Sequence, residues 1–346
     1  MARRVEQAVI LAGGEGTRLR PLTSTRPKPL LPVLGVPCIE YVIRAMAAAG
    51  VKHIFLACGY RSEDVRNALG GGDRFGVELE LACEREPMGT AGAVKLLEDR
   101  LDGTFVVGSG DTMMDAELGP LIDFHLRRGA EATIGLTEVE RPEQFGIVGV
   151  SAEGRVERFK EKPRPEEVFS RVINAGIYVL EPEVLRMVPP ARKYDFAKDL
   201  YVDMLARGRG LFAAPINGYW RDIGRPGDLY LANMEMASRM PPSMAPAGVD
   251  AEGPCHFGEG VRASSSRVRR SVIGRACVLD ASLVDGCLLL DRTSVGRGAE
   301  VRGCILGEGC RIGAGAMLRD CVLGDGVTVS PGKALEGTNL EAGAAL

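Results

Sequence analysis

The sequence predicts an open, largely parallel α/β sheet with helices on both faces, followed by a parallel β-helix. Three observations carry this. Strand-like apolar runs alternate with helix-like segments as far as about Arg239, a Pro-rich stretch then breaks the alternation, and a glycine-led unit recurs through the remainder. With 346 residues the chain is long enough for two domains that each bury a core.

The first element is a buried strand over residues 8–12, Ala8-Val9-Ile10-Leu11-Ala12, which ends in a glycine turn. A helix is expected from Ile39 to Ala49, where apolar residues fall three and four apart and Gly50 stands beyond the end. Further strands are expected at Ile54–Ala57, Phe105–Val107 and Ala132–Leu136. Met240-Pro241-Pro242-Ser243-Met244-Ala245-Pro246-Ala247-Gly248 has no periodicity and reads as a linker. The expected domains are therefore residues 1–239, a linker over 240–250, and a repeat domain over 251–346.

In the last part, Gly296-Arg297-Gly298-Ala299-Glu300-Val301 recurs as Gly307-Glu308-Gly309-Cys310-Arg311-Ile312, and again from Gly313 and from Gly324. A second unit is interleaved with it. Ser271-Val272-Ile273, Cys287-Leu288-Leu289, Cys304-Ile305-Leu306 and Cys321-Val322-Leu323 start 16, 17 and 17 residues apart. Hexapeptide units of this kind stack as a parallel β-helix of three short strands per coil, with glycine at the corners and the aliphatic residue inside. Cys287, Cys304 and Cys321 are then expected to form one interior ladder.

Composition narrows the function. The 43 basic and 46 acidic side chains leave a net charge of −3, which does not suit sequence-independent binding to nucleic acid or anionic lipid. No run approaches the roughly 18 apolar residues of a membrane span, and the apolar run at 8–12 is too short for a signal-peptide core. Nine cysteines, with no Cys-x-x-Cys pair and only three histidines, argue against a disulfide framework and a zinc site. A cytoplasmic protein is expected.

One segment carries most of the chemistry. Leu11-Ala12-Gly13-Gly14-Glu15-Gly16-Thr17-Arg18-Leu19 takes a buried strand into a glycine-rich loop, and Pro27-Lys28-Pro29 follows. Backbone N–H groups in such a loop can converge on phosphate oxygens, and Arg18 and Lys28 add fixed positive charge of the kind a polyphosphate under attack requires. Neither the Walker spacing nor Gly-x-Gly-x-x-Gly is present, since Leu19 stands where the third glycine would be. Asp111 lies after the predicted strand at Phe105, at the carboxyl end where such sheets bind ligands.

These residues resemble the sugar-1-phosphate nucleotidyltransferases (NDP-sugar pyrophosphorylases) over nearly all of residues 6–240. Gly89-Thr90-Ala91-Gly92 is similar to that family's base- and ribose-contacting loop, and Gly108-Ser109-Gly110-Asp111 to its first magnesium-binding segment. Phe159-Lys160-Glu161-Lys162-Pro163 resembles its sugar-phosphate motif, Asn174-Ala175-Gly176 its sugar-binding strand, and Trp220-Arg221-Asp222 the segment of its second metal aspartate. The resemblance implies a Rossmann-like nucleotidyltransferase domain with a left-handed β-helix behind it. It implies NTP and a hexose 1-phosphate as substrates, Mg2+ as cofactor, and a homo-oligomer assembled through the β-helix.

By that resemblance Arg18, Lys28, Asp111 and Lys162 are the catalytic set. Leu11, Ala12, Gly13, Gly14, Gly16, Thr17, Arg18, Glu84, Pro87, Gly89, Thr90 and Gly110 would bind the nucleotide. Glu161, Lys162, Asn174 and Gly176 would bind the sugar phosphate, and Asp111 and Asp222 the metal. Two aspartates distant in sequence suit a magnesium ion that keeps several waters. Bland readings stand beside these: Asp111 as a helix cap, Asp222 as a turn residue, Glu161 and Lys162 as part of a solvated charged face, and Trp220 as core. Acidic residues before Pro-x-Gly-Thr-Ala-Gly resemble the mannose-1-phosphate guanylyltransferases, and a carboxylate at Glu84 or Glu86 suits the N–H donors of guanine. GTP with mannose 1-phosphate is the first expectation, with glucose 1-phosphate and dTTP, UTP or ATP as the alternative. A non-catalytic homologue that senses NDP-sugars is the reading from a different class, and acyl transfer by the β-helix would rest on His256 alone.

Overall fold

The computed structural model describes residues 4–84, 86–241 and 244–346. Residues 1–3, Arg85 of the acidic segment, and Pro242 and Ser243 of the expected linker lie outside the described residues. Two compact units emerge: Met1–Gly14 with Ile39–Trp220, and Glu15–Cys38 with Arg221–Leu346. This division differs from the sequence boundary at 239/240, because the segment after the glycine loop groups with the C-terminal part of the chain.

The first unit is built from strands β1 (Gln7–Leu11), β2 (His53–Cys58), β3 (Glu78–Cys83), β4 (Phe105–Ser109), β5 (Thr112–Glu117), β6 (Ala132–Glu138), β7 (Gly146–Val150), β8 (Val156–Glu161), β9 (Val172–Leu180), β10 (Leu211–Pro215) and β11 (Asn217–Asp222), the last two residues of which fall in the second unit. Its helices are α1 (Cys38–Ala48), α2 (Ser62–Leu69), α3 (Gly89–Lys95), α4 (Gly119–Arg128) and α5 (Tyr201–Ala206). The main sheet runs β8-β7-β9-β4-β1-β2-β3, with β6 paired to β9 and β10 to β6. Strands β4, β1, β2 and β3 are parallel, whereas β9 runs antiparallel to β4, β6 and β7, so the sheet is mixed. Buried on both faces, the central strands read as continuous apolar runs, as at Ala8-Val9-Ile10 and Phe105-Val106-Val107.

Helix α1 buries Ile39, Val42, Ile43 and Met46, the three-and-four spacing of an amphipathic face. It starts and ends one residue earlier than the sequence suggested. The other face of the sheet closes on a core that includes Phe55, Phe105, Ile134, Tyr178, Phe196 and Tyr201.

The second unit contains a parallel β-helix of the left-handed hexapeptide type. Three sheets run its length, and one column of pairs passes from His256 through Val272, Leu288, Ile305 and Val322 to Asn339. Its first strand, Val249–Glu252, begins inside the residues read as linker. The expected cysteine ladder is present: Cys304 N–H donates to Cys287 Sγ and Cys321 N–H to Cys304 Sγ, each at 3.4 Å, in a buried interior. All nine cysteines are thiols. Helix α6 (Pro226–Arg239) holds the hairpin that follows the glycine loop, since Asn233 accepts from Leu34 N–H and donates to the Pro32 carbonyl. No helix among the described residues is long and apolar enough to cross a membrane.

Candidate active site

In the first unit the carboxyl ends of β1 and β4 lie side by side, Leu11 opposite Ser109. Past these ends the chain opens into Gly13-Gly14 on one strand and Gly110-Asp111 on the other. Ala12 is buried and its N–H donates to Ala57 O, so the exposed part of the loop begins at Gly13. A Cβ at Gly14 would meet nothing within 4 Å, which leaves open room above that backbone. Gly110 behaves differently. It is buried, its N–H donates to Leu11 O, and a Cβ there would meet Ile10 at 3.0 Å, so its role is to bring the two strand ends together.

Asp111 stands in the turn between β4 and β5, half-buried, where Ser109 Oγ donates to its Oδ1 at 2.6 Å. No helix begins there, which removes the cap reading. Glu84 follows β3 and is half-buried; its Oε2 accepts from Met88 N–H at 2.9 Å. Its Oε1 would lie 3.5 Å from a Cβ on Gly13, so this carboxylate faces the glycine loop while bracing its own. Glu86 and Pro87 are exposed.

Gly89 and Thr90, expected in a loop, open helix α3 and are held by partners far along the chain. Gly89 has a φ of +75°, and a Cβ on it would stand 2.8 Å from Tyr194 O. Ala91 and Gly92 N–H both donate to that same carbonyl. Thr90 N–H donates to Asp195 Oδ1 at 3.1 Å, and its hydroxyl lies between Asp195 Oδ1 and Phe196 N–H. The Thr90 groups expected to meet a nucleotide are thus engaged by Asp195 and Phe196. Nothing in the sequence marked these two residues, because their partners lie about a hundred positions away.

Glu161 ends β8 opposite Gly146, and a Cβ at Gly146 would come within 2.8 Å of its Oε2. Burial pushes its carboxyl above the ordinary value, with Lys162 and Lys198 opposing and Asp195 reinforcing the shift. Glu161 is therefore not part of a solvated face. Lys162 has a φ of +46°, in the left-handed region, and its N–H donates to Phe145 O. Asn174 and Gly176 form a bulge in β9: Gly176 N–H donates to Asn174 Oδ1 at 2.9 Å, and Asn174 Nδ2 donates to Tyr178 Oη at 3.1 Å. Trp220 is half-buried rather than core, and its indole N–H donates to Ala175 O across that bulge.

In the second unit Gly16 leads into a 3-10 turn, Thr17–Leu19, with Thr17 and Arg18 exposed. Lys28 is buried and its Nζ stands 3.9 Å from Asp222 Oδ1. Asp222 is the last residue of β11 rather than a turn residue. A cavity of about 980 Å³ in the first unit, lined by Tyr41, Arg44, Asp115, Glu117 and Asn217 among others, contains none of the candidate residues.

Asp111 in the first unit and Asp222 in the second each offer carboxylate oxygens, hard donors of the kind that suit magnesium. Among the described residues no group of three or more His, Cys, Asp or Glu surrounds a common point.

Comparison with known proteins identifies the family. Residues 7–239 match the family described as Nucleotidyl transferase, and residues 253–345 match "GlmU-like, C-terminal hexapeptide". A mannose-1-phosphate guanylyltransferase of Mycobacterium tuberculosis is 34% identical over 304 residues, 87% of this chain and 84% of that protein. A Danio rerio mannose-1-phosphate guanylyltransferase catalytic subunit beta is 39% identical over 259 residues, 73% and 70% of the two chains. A UTP–glucose-1-phosphate uridylyltransferase of Synechocystis is 30% identical over 331 residues, 85% of each. A Bacillus anthracis crystal structure assigned as a glucose-1-phosphate thymidylyltransferase superposes with a TM-score of 0.61 at 29% identity, over 66% of this chain and 94% of that one. With the family matched across residues 7–239, the chain belongs to the nucleotidyl transferase family.

Proposed function

We propose that the protein transfers a nucleotidyl group from an NTP to a hexose 1-phosphate, releasing pyrophosphate, with GTP and mannose 1-phosphate as its substrates. The observation that carries the reaction is the pairing of Leu11 with Ser109, which brings the start of the glycine loop and Asp111 to neighbouring strand ends. For the base, Glu84 supports the reading through its position beside Gly13, and two guanylyltransferases stand among the relatives.

In this reading a phosphate oxygen of the sugar 1-phosphate attacks the nucleotide α-phosphorus. The new P–O bond forms as the bond to pyrophosphate breaks, and no covalent protein intermediate is needed. Gly13, Gly14 and Gly16 admit the polyphosphate, and Arg18 and Lys28 offset its charge as the bond breaks. Lys162 holds the attacking phosphate, and Glu161 and Asn174 orient the sugar hydroxyls. Asp111 and Asp222 would hold Mg2+, which when bound neutralises phosphate charge. The catalytic domain is taken as residues 1–239, the linker as 240–250 and the β-helix domain as 251–346. The reading further takes the protein as cytoplasmic, in keeping with its nine thiols, and as a homo-oligomer joined through the β-helix.

A second reading keeps the mechanism and changes the substrates to glucose 1-phosphate with UTP, dTTP or ATP; the Synechocystis relative favours it. Pyrophosphate release measured with magnesium, crossing ATP, GTP, CTP, UTP and dTTP with mannose, glucose, galactose and N-acetylglucosamine 1-phosphates, separates the two. Preference for GTP with mannose 1-phosphate is expected. Preference for another base with glucose 1-phosphate would discard the role of Glu84, and silence across all pairs from folded protein would discard the enzyme.

A further inference from the structure

Three consecutive residues between Arg18 and Lys28 are pinned to the β-helix. Ser24 Oγ donates to Glu341 Oε2 at 2.7 Å, and Thr25 Oγ1 donates to Asp325 Oδ2 at 2.5 Å. Arg26 Nη2 reaches Glu308 Oε2 at 2.7 Å and Asp325 Oδ2 at 2.5 Å. These partners lie some three hundred residues along the chain, yet within the same compact unit. Glu308 and Asp325 occupy equivalent corners of successive coils, where Glu308 N–H donates to Asp325 Oδ1.

A neighbouring corner shows what is unusual. Asp291 takes its cation from the β-helix itself, with Arg275 Nε at 2.9 Å. At Asp325 the cation comes instead from Arg26, whose side chain is only 20% exposed. Between Arg26 and Lys28 there is only Pro27, extended and with a ring-locked φ of −68°. Such a residue transmits the position of Arg26 directly to Lys28.

We infer that the acidic corners Glu308 and Asp325 of the β-helix position Lys28, acting through Arg26, so that the repeat domain sets the geometry of the phosphate-neutralising lysine. This rests on the reading of Lys28 given above. Arg26, Glu308 and Asp325 are positioning residues and touch no substrate. A small displacement of a group aimed at a transition state is felt in kcat more than in KM.

The test compares full-length Arg26→Ala, Asp325→Asn and their double variant, with Lys28→Met and Arg275→Ala alongside. Arg26→Ala and Asp325→Asn are each expected to lower kcat about 10- to 100-fold, with the sugar-phosphate KM little changed. The double variant should fall no further than the worse single one, because both changes break one link. Arg26→Lys should recover part of the loss, and Arg275→Ala should leave kcat within about twofold. If Arg26→Ala does not fold, Thr25→Val removes one bond of the same link and should lower kcat in the same direction. Parent-like kcat in Arg26→Ala beside an inactive Lys28→Met overturns the inference alone, as does a double variant whose losses multiply. Parent-like kcat in Lys28→Met overturns the reading of the site and the inference with it.

Discussion

Gly16 and Lys28 are packed so closely that the glycine is obligatory. A Cβ on Gly16 would stand 2.9 Å from the Cβ of Lys28, at a backbone φ of +64° that side chains rarely adopt. The exposed loop is thereby laid against a buried lysine, and a methyl group would either push Lys28 aside or lift the loop. Gly16→Ala is expected to cost about 1–3 kcal/mol of stability and most of the turnover. Denaturant titration beside steady-state kinetics checks both, and a stable, fully active variant would show that the loop tolerates the shift.

Asp111→Asn is expected to abolish turnover while leaving the unfolding midpoint close to that of the parent, because Asn keeps the acceptor that Ser109 uses. Chelation by EDTA should arrest the parent enzyme and added Mg2+ restore it. Near-normal activity of the variant at saturating magnesium would remove Asp111 from the metal site.

The raised pKa of Glu161 has two consequences with a definite sign. Its folded value lies above the ordinary 4.5, so the folded state binds the proton more tightly than the unfolded chain. Ionised Glu161 therefore costs stability as pH rises from 4.5 through the folded value, and the cost persists above it. Glu161→Gln should raise Tm at neutral pH, with a gain that shrinks as pH falls through that window. In kcat/KM for the sugar phosphate, the acid limb of the parent should lie above the ordinary carboxylate range. An unshifted limb in Glu161→Gln would assign it to another group.

Burial pushes the thiols of Cys58, Cys277 and Cys310 up to about 12, whereas Cys83 is exposed. A thiol reagent at pH 8 is expected to label Cys83 first in native protein and the β-helix interior only after unfolding. Mass mapping of the labelled peptides reads this directly. Early labelling of Cys287 or Cys304 would mean that the coils open.

Much of the fold was legible because it rests on short-range rules. Periodicity located α1 and the strands at Phe105 and Ala132, and the recurrent glycine–aliphatic unit gave the β-helix and the Cys287-Cys304-Cys321 ladder. The glycine loop, Asp111 and the Glu161-Lys162 motif could be nominated as site candidates for the same reason, since each is contiguous. What could not be read depends on partners far away in the chain. The bonds from Thr90 to Asp195 and Phe196, and from the Gly110 N–H to Leu11, could not be read from spacing. Glu161 sits in a charged run that resembles a solvated face, but the sheet lays it over Gly146 and half-buries it.

By itself the sequence determined the element types, the repeat and the inventory of charged and flexible residues, because these follow from local propensity and spacing. The tertiary structure alone decided which of those charges are buried, which backbone donors are already engaged, and that Ser24, Thr25 and Arg26 are tied to the acidic corners of the β-helix. The physical reason is that desolvation and hydrogen-bond satisfaction are set by what lies across the fold from a residue, and one-dimensional spacing carries no record of that neighbour.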